Sequence, residues 1–354
     1  MKIPYFCTVF QLFMKVYFSL GLFLFSSVFL SCKNDSIKEN TIDTKVQDSI
    51  NEVKKTEEFK RPRPRTADDI ILKKELTYNT YTLEDIYPYK DTTRVFQWDK
   101  IKEKLAYIEN FQNEKITYAI LQNYKNKNRE APTVKNFVRN EYTRVSDTLG
   151  VERYQSAPLY IVGETDAPTL YGRDGSIVKL ISSDTLDMLR IEGISFLGIW
   201  DVPKRYVKKL GDNIRFKHIA FVDATNQNIT LIERVENEWI IRSMNPATSG
   251  VHKPPYSMET PVGMFIIQEN KLKMFFYKDG TTELGGFAPY ASRFTNGGYI
   301  HGVPTNNPNG SIIEYSATLG TFPRSHMCVR NATSHAKFIF DNAKPLKSLV
   351  IVID

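Results

Sequence analysis

Cysteine is scarce in this chain: there are three in 354 residues, and two of them, Cys7 and Cys32, lie within or at the end of an apolar N-terminal stretch. That excludes a disulfide framework and leaves Cys328 as the single thiol of the remaining sequence. Histidine is also sparse, with five. A structural zinc site needs about four ligands, which one cysteine without a close-spaced partner does not provide. Lys and Arg exceed Asp and Glu to give a net charge of +7. They form no basic helix and no aromatic-basic strand motif, which argues against a nucleic-acid partner. An anionic envelope polymer or membrane surface suits the charge better. Helical periodicity is thin, and the longest apolar run, residues 16–30, is short for a stable membrane span.

That run, VYFSLGLFLFSSVFL behind Lys15, has the layout of a secretory signal. With Cys32 following Leu30-Ser31 it resembles a bacterial lipoprotein signal. The resemblance implies that 1–31 is removed and that Cys32 is lipidated, holding the protein at the periplasmic face of a bacterial membrane of unspecified leaflet. Met14-Lys15 would open a compact signal by itself. Residues 32–66 are polar and mixed in charge, too poor in large apolar residues to bury a core, and read as a flexible tether.

Residues 67–156 give mixed signals and no chemistry. One helix is expected from Trp98 to Asn113, where Ile101, Leu105, Ile108 and Phe111 recur at helical spacing. From 157 to 212 short apolar runs alternate with turns, as in a small barrel or sandwich. The segment Trp200-Asp201-Val202-Pro203-Lys204-Arg205-Tyr206-Val207 resembles the end of a Src-homology-3-like barrel. Trp200 and Tyr206 are candidates for a peptide groove or for the core of so small a barrel. Residues 213–354 read as mainly β, opening with a hairpin over 217–234 that turns at Asn226-Gln227-Asn228.

Three islands follow that hairpin: Thr260-Pro261-Val262-Gly263-Met264-Phe265, Tyr299-Ile300-His301-Gly302 and Ser325-His326-Met327-Cys328-Val329-Arg330. In sequence and order they resemble the L,D-transpeptidase catalytic domain of bacterial cell-wall enzymes, and Asp223 and Gln227 match that family's opening hairpin. The resemblance implies a β-sandwich at 213–354, preceded by the small β-barrel and the partly helical N-terminal region. It also implies a peptidoglycan-acting enzyme that needs no metal or organic cofactor.

The chemistry accounts for the residue types. An ordinary thiol is mostly protonated at neutral pH, so an imidazole must take its proton before it can attack an amide carbonyl. By resemblance, Cys328 is the nucleophile, His301 the general base, and the Gly302 carbonyl the group that orients the imidazole. Backbone N–H groups around Met327 and Cys328 are the expected oxyanion hole. Ser325, His326 and Arg330 are expected nearby, with Arg330 supporting the turn or meeting a substrate carboxylate. The Thr260 island reads as a turn entering a strand, with Phe265 in the core and no chemistry. Residues 275–298 are either a flexible lid, with Tyr290 and Arg293 contacting substrate, or an ordinary hairpin.

Two departures from the family pattern stand out. Met327 replaces a glycine, so the backbone there is expected to differ. His301 and Cys328 lie 27 positions apart, with the excess over the family's spacing absorbed by the turn-rich Asn306-Asn307-Pro308-Asn309-Gly310. The implied reaction joins Cys328 to a stem tetrapeptide, releases D-Ala, and passes the acyl group to an amine or to water. Rival readings are a non-catalytic peptidoglycan-binding lipoprotein, an L,D-carboxypeptidase-type wall hydrolase, and an enzyme attaching another protein to the wall. A cysteine peptidase that pairs with Src-homology-3-like modules is disfavoured, because in such enzymes the cysteine precedes the histidine.

Overall fold

Ser348–Ile353 reads SLVIVI and is buried along its whole length, as a strand covered on both faces must be. The computed structural model describes residues 63–354 apart from 115, 125–130, 140–144, 147–155, 183–186 and 212–213. The signal-like stretch, Cys32 and the tether up to residue 62 lie outside the described residues. Ser348–Ile353 runs parallel to His218–Asp223 and antiparallel to Gly263–Ile266 in a six-stranded sheet. Asn228–Val235 and Glu238–Pro246 continue that sheet, and Leu72–Lys74 forms its far edge, parallel to Glu238–Pro246.

One face of this sheet carries Ile219, Phe221, Ile232, Trp239 and Ile351. The helix Trp98–Gln112 covers it with the four residues picked out by periodicity, Ile101, Leu105, Ile108 and Phe111, all buried. The other face carries Ala220, Val222, Ile229, Leu231, Phe265, Val350 and Val352. It packs on Phe294, Ile300 and Val329 of a second sheet, ordered Glu269–Tyr277, Leu284–Thr295, Gly298–His301 and Val329–Arg330. The last two strands pair in parallel, Ile300 opposite Val329 and His301 opposite Arg330. A short parallel pairing thus brings two sequence islands together.

The fold is mainly β, with the two sheets packed face to face in the expected sandwich. One helix lay outside the sequence reading: Thr333–Asn342 packs against the long strand Leu284–Thr295. In sequence between the N-terminal helix and the His218 hairpin lies a five-stranded antiparallel sheet, ordered Ile199–Pro203, Met188–Gly193, Ile177–Leu180, Thr117–Leu121 and Val207–Gly211. Thr117–Leu121 comes from before residue 157, so this module draws on both stretches of sequence. Tyr206 is in its core, while Trp200 packs at the margin with its indole N–H on the Leu197 carbonyl.

The candidate lid is a correction. Glu269–Tyr277 and Leu284–Thr295 are paired strands from Glu269 opposite Arg293 to Tyr277 opposite Leu284, leaving only a short tip. The backbone amides that a mobile lid would leave free are committed to the ladder.

Candidate active site

Ser325, His326, Cys328 and Arg330 lie with His301 around one cavity of about 380 Å³. Tyr299 packs against Cys328 in a small apolar cluster with Ala291. The Cys328 thiol donates to the Gly297 carbonyl at 3.4 Å.

The His301 ring is buried, and its Nδ1 lies 2.6 Å from the Gly302 carbonyl oxygen. A carbonyl can only accept, so Nδ1 carries the proton and Nε2 is left as the basic nitrogen. Burial pushes the His301 pKa down to about 4, opposed by the Gly302 carbonyl. The imidazole is therefore neutral at pH 7 and able to accept a proton. Gly302 fits because a Cβ there would lie 2.6 Å from Thr333 Oγ1 and 2.9 Å from Pro289 Cγ.

Met327 is where the expectation fails. Its φ is +90°, the left-handed region that favours glycine. The turn thus keeps the backbone form that glycine would supply, with a methionine side chain buried behind it. Hydrogen bonds hold it there. Thr260 Oγ1 donates to the Met327 carbonyl at 2.8 Å and accepts from the Gly250 N–H at 2.8 Å. Ser325 Oγ donates to the Cys328 carbonyl. Because the peptide unit is planar and trans, fixing the Met327 carbonyl aims the Cys328 N–H the opposite way, away from Thr260. Gly250 permits the approach, since a Cβ there would meet Met327 Cα at 2.7 Å and the Met258 carbonyl at 2.3 Å.

Sequence reasoning gave Thr260 no role, and it is a positioning residue for the thiol turn. Gln227 and Asp223 also act at a distance. Asp223 closes the opening hairpin by accepting the Thr225 and Asn226 N–H groups. Gln227 exchanges hydrogen bonds with Ser249, through Nε2 to Oγ at 2.7 Å and through Oε1 from the backbone N–H at 2.9 Å. The Ser249 carbonyl in turn accepts the Ser325 N–H at 3.1 Å.

His326 sits at the rim, half exposed, with Nε2 3.0 Å from Asp279 at the tip of the long hairpin. Arg330 lines the cavity, and burial lowers its pKa while the neighbouring thiol opposes this. Its Nε is buried without a hydrogen-bond partner among the described residues.

Tyr290 and Arg293 are corrections. Tyr290 packs edge-on against Phe340 of the last helix, with Lys337 over its ring. Arg293 is buried in ion pairs with Asp174 and Glu269, at 2.6 and 2.8 Å. Neither side chain lines the cavity. The remaining histidines are occupied: His335 is buried between Asn331 and Ser243, His218 lies beside Glu233, and His252 pairs with Glu259 on the surface.

Two paired strands, an imidazole held on the Gly302 carbonyl and a pinned left-handed turn before a cysteine meet around one cavity. Residues 217–352 match the family model of the L,D-transpeptidase catalytic domain, YkuD. The matched residues begin in the opening hairpin and end in the buried parallel strand. No curated protein matches the chain. Solved structures similar to it include a fused Zn-dependent amidase/peptidase/peptidoglycan-binding domain-containing protein from Clostridium acetobutylicum, at 19% identity and TM-score 0.28, covering 39% of this chain and 52% of that one. An L,D-transpeptidase from Mycobacterium smegmatis is similar at 17% identity and TM-score 0.32, covering 50% of this chain and 82% of the other. L,D-transpeptidase 3 from Mycobacterium tuberculosis, in complex with a faropenem-derived adduct, is similar at 15% identity and TM-score 0.33, covering 52% and 93%. The chain spans about half the length of the first of these.

Proposed function

We propose that this protein is a peptidoglycan L,D-transpeptidase working through a Cys328 thioester. The observation that carries the reading is the neutral His301, its Nδ1 proton on the Gly302 carbonyl at 2.6 Å, lining one cavity with the Cys328 thiol. His301 Nε2 takes the thiol proton as sulfur attacks the carbonyl of the third, diamino acid residue of a stem tetrapeptide. The Cys328 N–H, aimed by the pinned Met327 carbonyl, supports the oxyanion. Collapse breaks the amide bond, and the proton held by the imidazole goes to the departing amine of D-Ala. An amine of a second stem then attacks the thioester to give a crosslink, or water does so to give a tripeptide.

The positive φ at Met327 favours this reading over a non-catalytic wall-binding protein, because the substitution leaves the turn in the form glycine would give it. The apolar stretch before Cys32 supports the further proposal of an exported, lipid-anchored enzyme acting outside the membrane.

The test is incubation of the full chain with purified stem tetrapeptide. Wild type is expected to release D-Ala, with dimer and tripeptide reporting how the thioester divides between amine and water. Cys328→Ala is expected to lose about 1000-fold or more of that rate. Equal release by the two proteins would contradict the proposal.

A further inference from the structure

The family match begins at residue 217, yet one cavity wall comes from far upstream. Thr117–Leu121, the fourth strand of the antiparallel module, continues through Gln122 and Asn123 to Tyr124, which lines the same cavity as Cys328. We propose that Tyr124, delivered by the N-terminal module, is a specificity-determining residue that contacts the peptide donor beside the thiol. The inference rests on the transpeptidase reading above and names a part of the site that lies outside the catalytic domain.

The placement of Tyr124 is tightly determined. Its strand end is held by the Gln122 N–H on the Tyr206 carbonyl at 2.8 Å, and by the Gln122 side chain on Gln268 at 3.1 Å. The Asn123 N–H donates to the Asp174 carboxylate at 3.0 Å. Asp174 is wholly buried, and its other oxygen accepts from Arg293 at 2.6 Å and from Gln268 at 2.7 Å. Gly175, next in the turn, has φ +84°, and a Cβ there would meet the Phe294 carbonyl oxygen at 1.9 Å. The module therefore meets the transpeptidase sheet backbone to backbone at a point only glycine permits.

Arg293 carries the contact onward. Its guanidinium lies over the Tyr124 ring, 4.6 Å from the centroid, while its Nε donates to Glu269 at 2.8 Å. Glu269 accepts from the Tyr299 hydroxyl at 3.3 Å, and Tyr299 packs on Cys328. Tyr124 and Tyr299 also interact through their hydroxyls. A buried ion pair is a poor stabiliser because both charges lose their water, and its best-attested use is to fix geometry. Here the geometry fixed is that of an aromatic face in the wall of a reactive pocket. Pockets of this kind are lined mainly by apolar and aromatic groups with a few placed polar ones.

The experiment compares Tyr124→Ala and Tyr124→Phe in the full chain. The readouts are KM and kcat for D-Ala release from the tetrapeptide, the rate of Cys328 alkylation by iodoacetamide, and Tm. Tyr124→Ala is expected to raise KM about 10-fold while kcat and the alkylation rate change far less, the pattern of lost substrate binding. Tyr124→Phe, which keeps the ring, is expected to recover most of that loss. An unchanged KM in Tyr124→Ala would overturn the inference, as would a fall in alkylation rate matching the fall in turnover, which marks general damage to the thiol site. Absence of D-Ala release from wild type would remove the transpeptidase reading and this inference with it. A failure confined to the Tyr124 variants leaves that reading in place.

Discussion

Met327 carries a conflict between backbone and side chain. A non-glycine residue at φ +90° is strained by about 1–2 kcal/mol, yet the side chain is buried, and burial of a methionine stabilises by a similar or larger amount. Comparison of two truncations isolates the backbone part. Met327→Gly and Met327→Ala both lose the side chain, but only Ala keeps the strain, so the glycine variant is expected to be the more stable by about 1 kcal/mol. Chemical denaturation measures this, and a more stable Ala variant would mean the left-handed turn is absent in solution. Thr260 gives a second expectation at this scale. Thr260→Val leaves the Gly250 N–H and Met327 carbonyl without their partner, so stability should fall by about 1–3 kcal/mol. Turnover should fall beyond what the unfolded fraction explains, whereas Thr260→Ser, which retains the hydroxyl, should stay near wild type. Equal effects of Val and Ser would leave the hydroxyl without a positioning role. His301 and His335 link the site to pH, since burial lowers them to about 4 and about 3 from 6.5. Between about pH 6.5 and 4 the unfolded chain therefore binds more protons than the folded one, so stability rises with pH across that window and is lost as the pH falls. Tm recorded from pH 7 to 4 should decline, and His335→Gln should flatten the decline; an unchanged slope would mean His335 is not buried neutral.

The elements differ in how plainly the sequence announces them. The helix Trp98–Gln112 was readable because its apolar positions recur at helical spacing and all become buried. The hairpin from His218 was readable for the complementary reason, a β-branched and aromatic run closed by Asn226-Gln227-Asn228, with Gln227 at φ +54°. Leu72–Lys74 was not, because LKK has no alternation to report and becomes a strand only by pairing with Trp239, Ile240 and Ile241. Thr333–Asn342 was missed because it is short and its start has no side-chain cap. In the site, the order His301 then Cys328 and the flanking Ser325 and Arg330 were legible as motif. The role of Thr260 was not, because it depends on a contact across 67 positions of sequence. Tyr124 was invisible for the same reason. The tip of the long hairpin gives an element-scale expectation. The His326–Asp279 contact is half exposed, and such pairs contribute about 0–1 kcal/mol. Asp279→Ala should hardly move Tm, and a large drop would mean the hairpin tip is a stronger support of the site than its exposure implies.

At the scale of the whole molecule, the six-stranded sheet is covered by the second sheet on one face and by an N-terminal helix on the other. The region around the Cys328 pocket therefore depends on residues far upstream of it. Leu105 is fully buried against that sheet, and Leu105→Ala is expected to cost about 2–5 kcal/mol. Loss of folding monitored at the Cys328 pocket and at the helix should coincide; a pocket that survives melting of the helix would show the two to be independent. The central claim, that Cys328 is an activated nucleophile served by His301, is tested most directly by intact-mass spectrometry of the full chain after exposure to a carbapenem. Wild type should gain one covalent adduct, Cys328→Ala none, and His301→Ala should acylate far more slowly. An unmodified wild type, or an adduct retained in Cys328→Ala, would contradict the account.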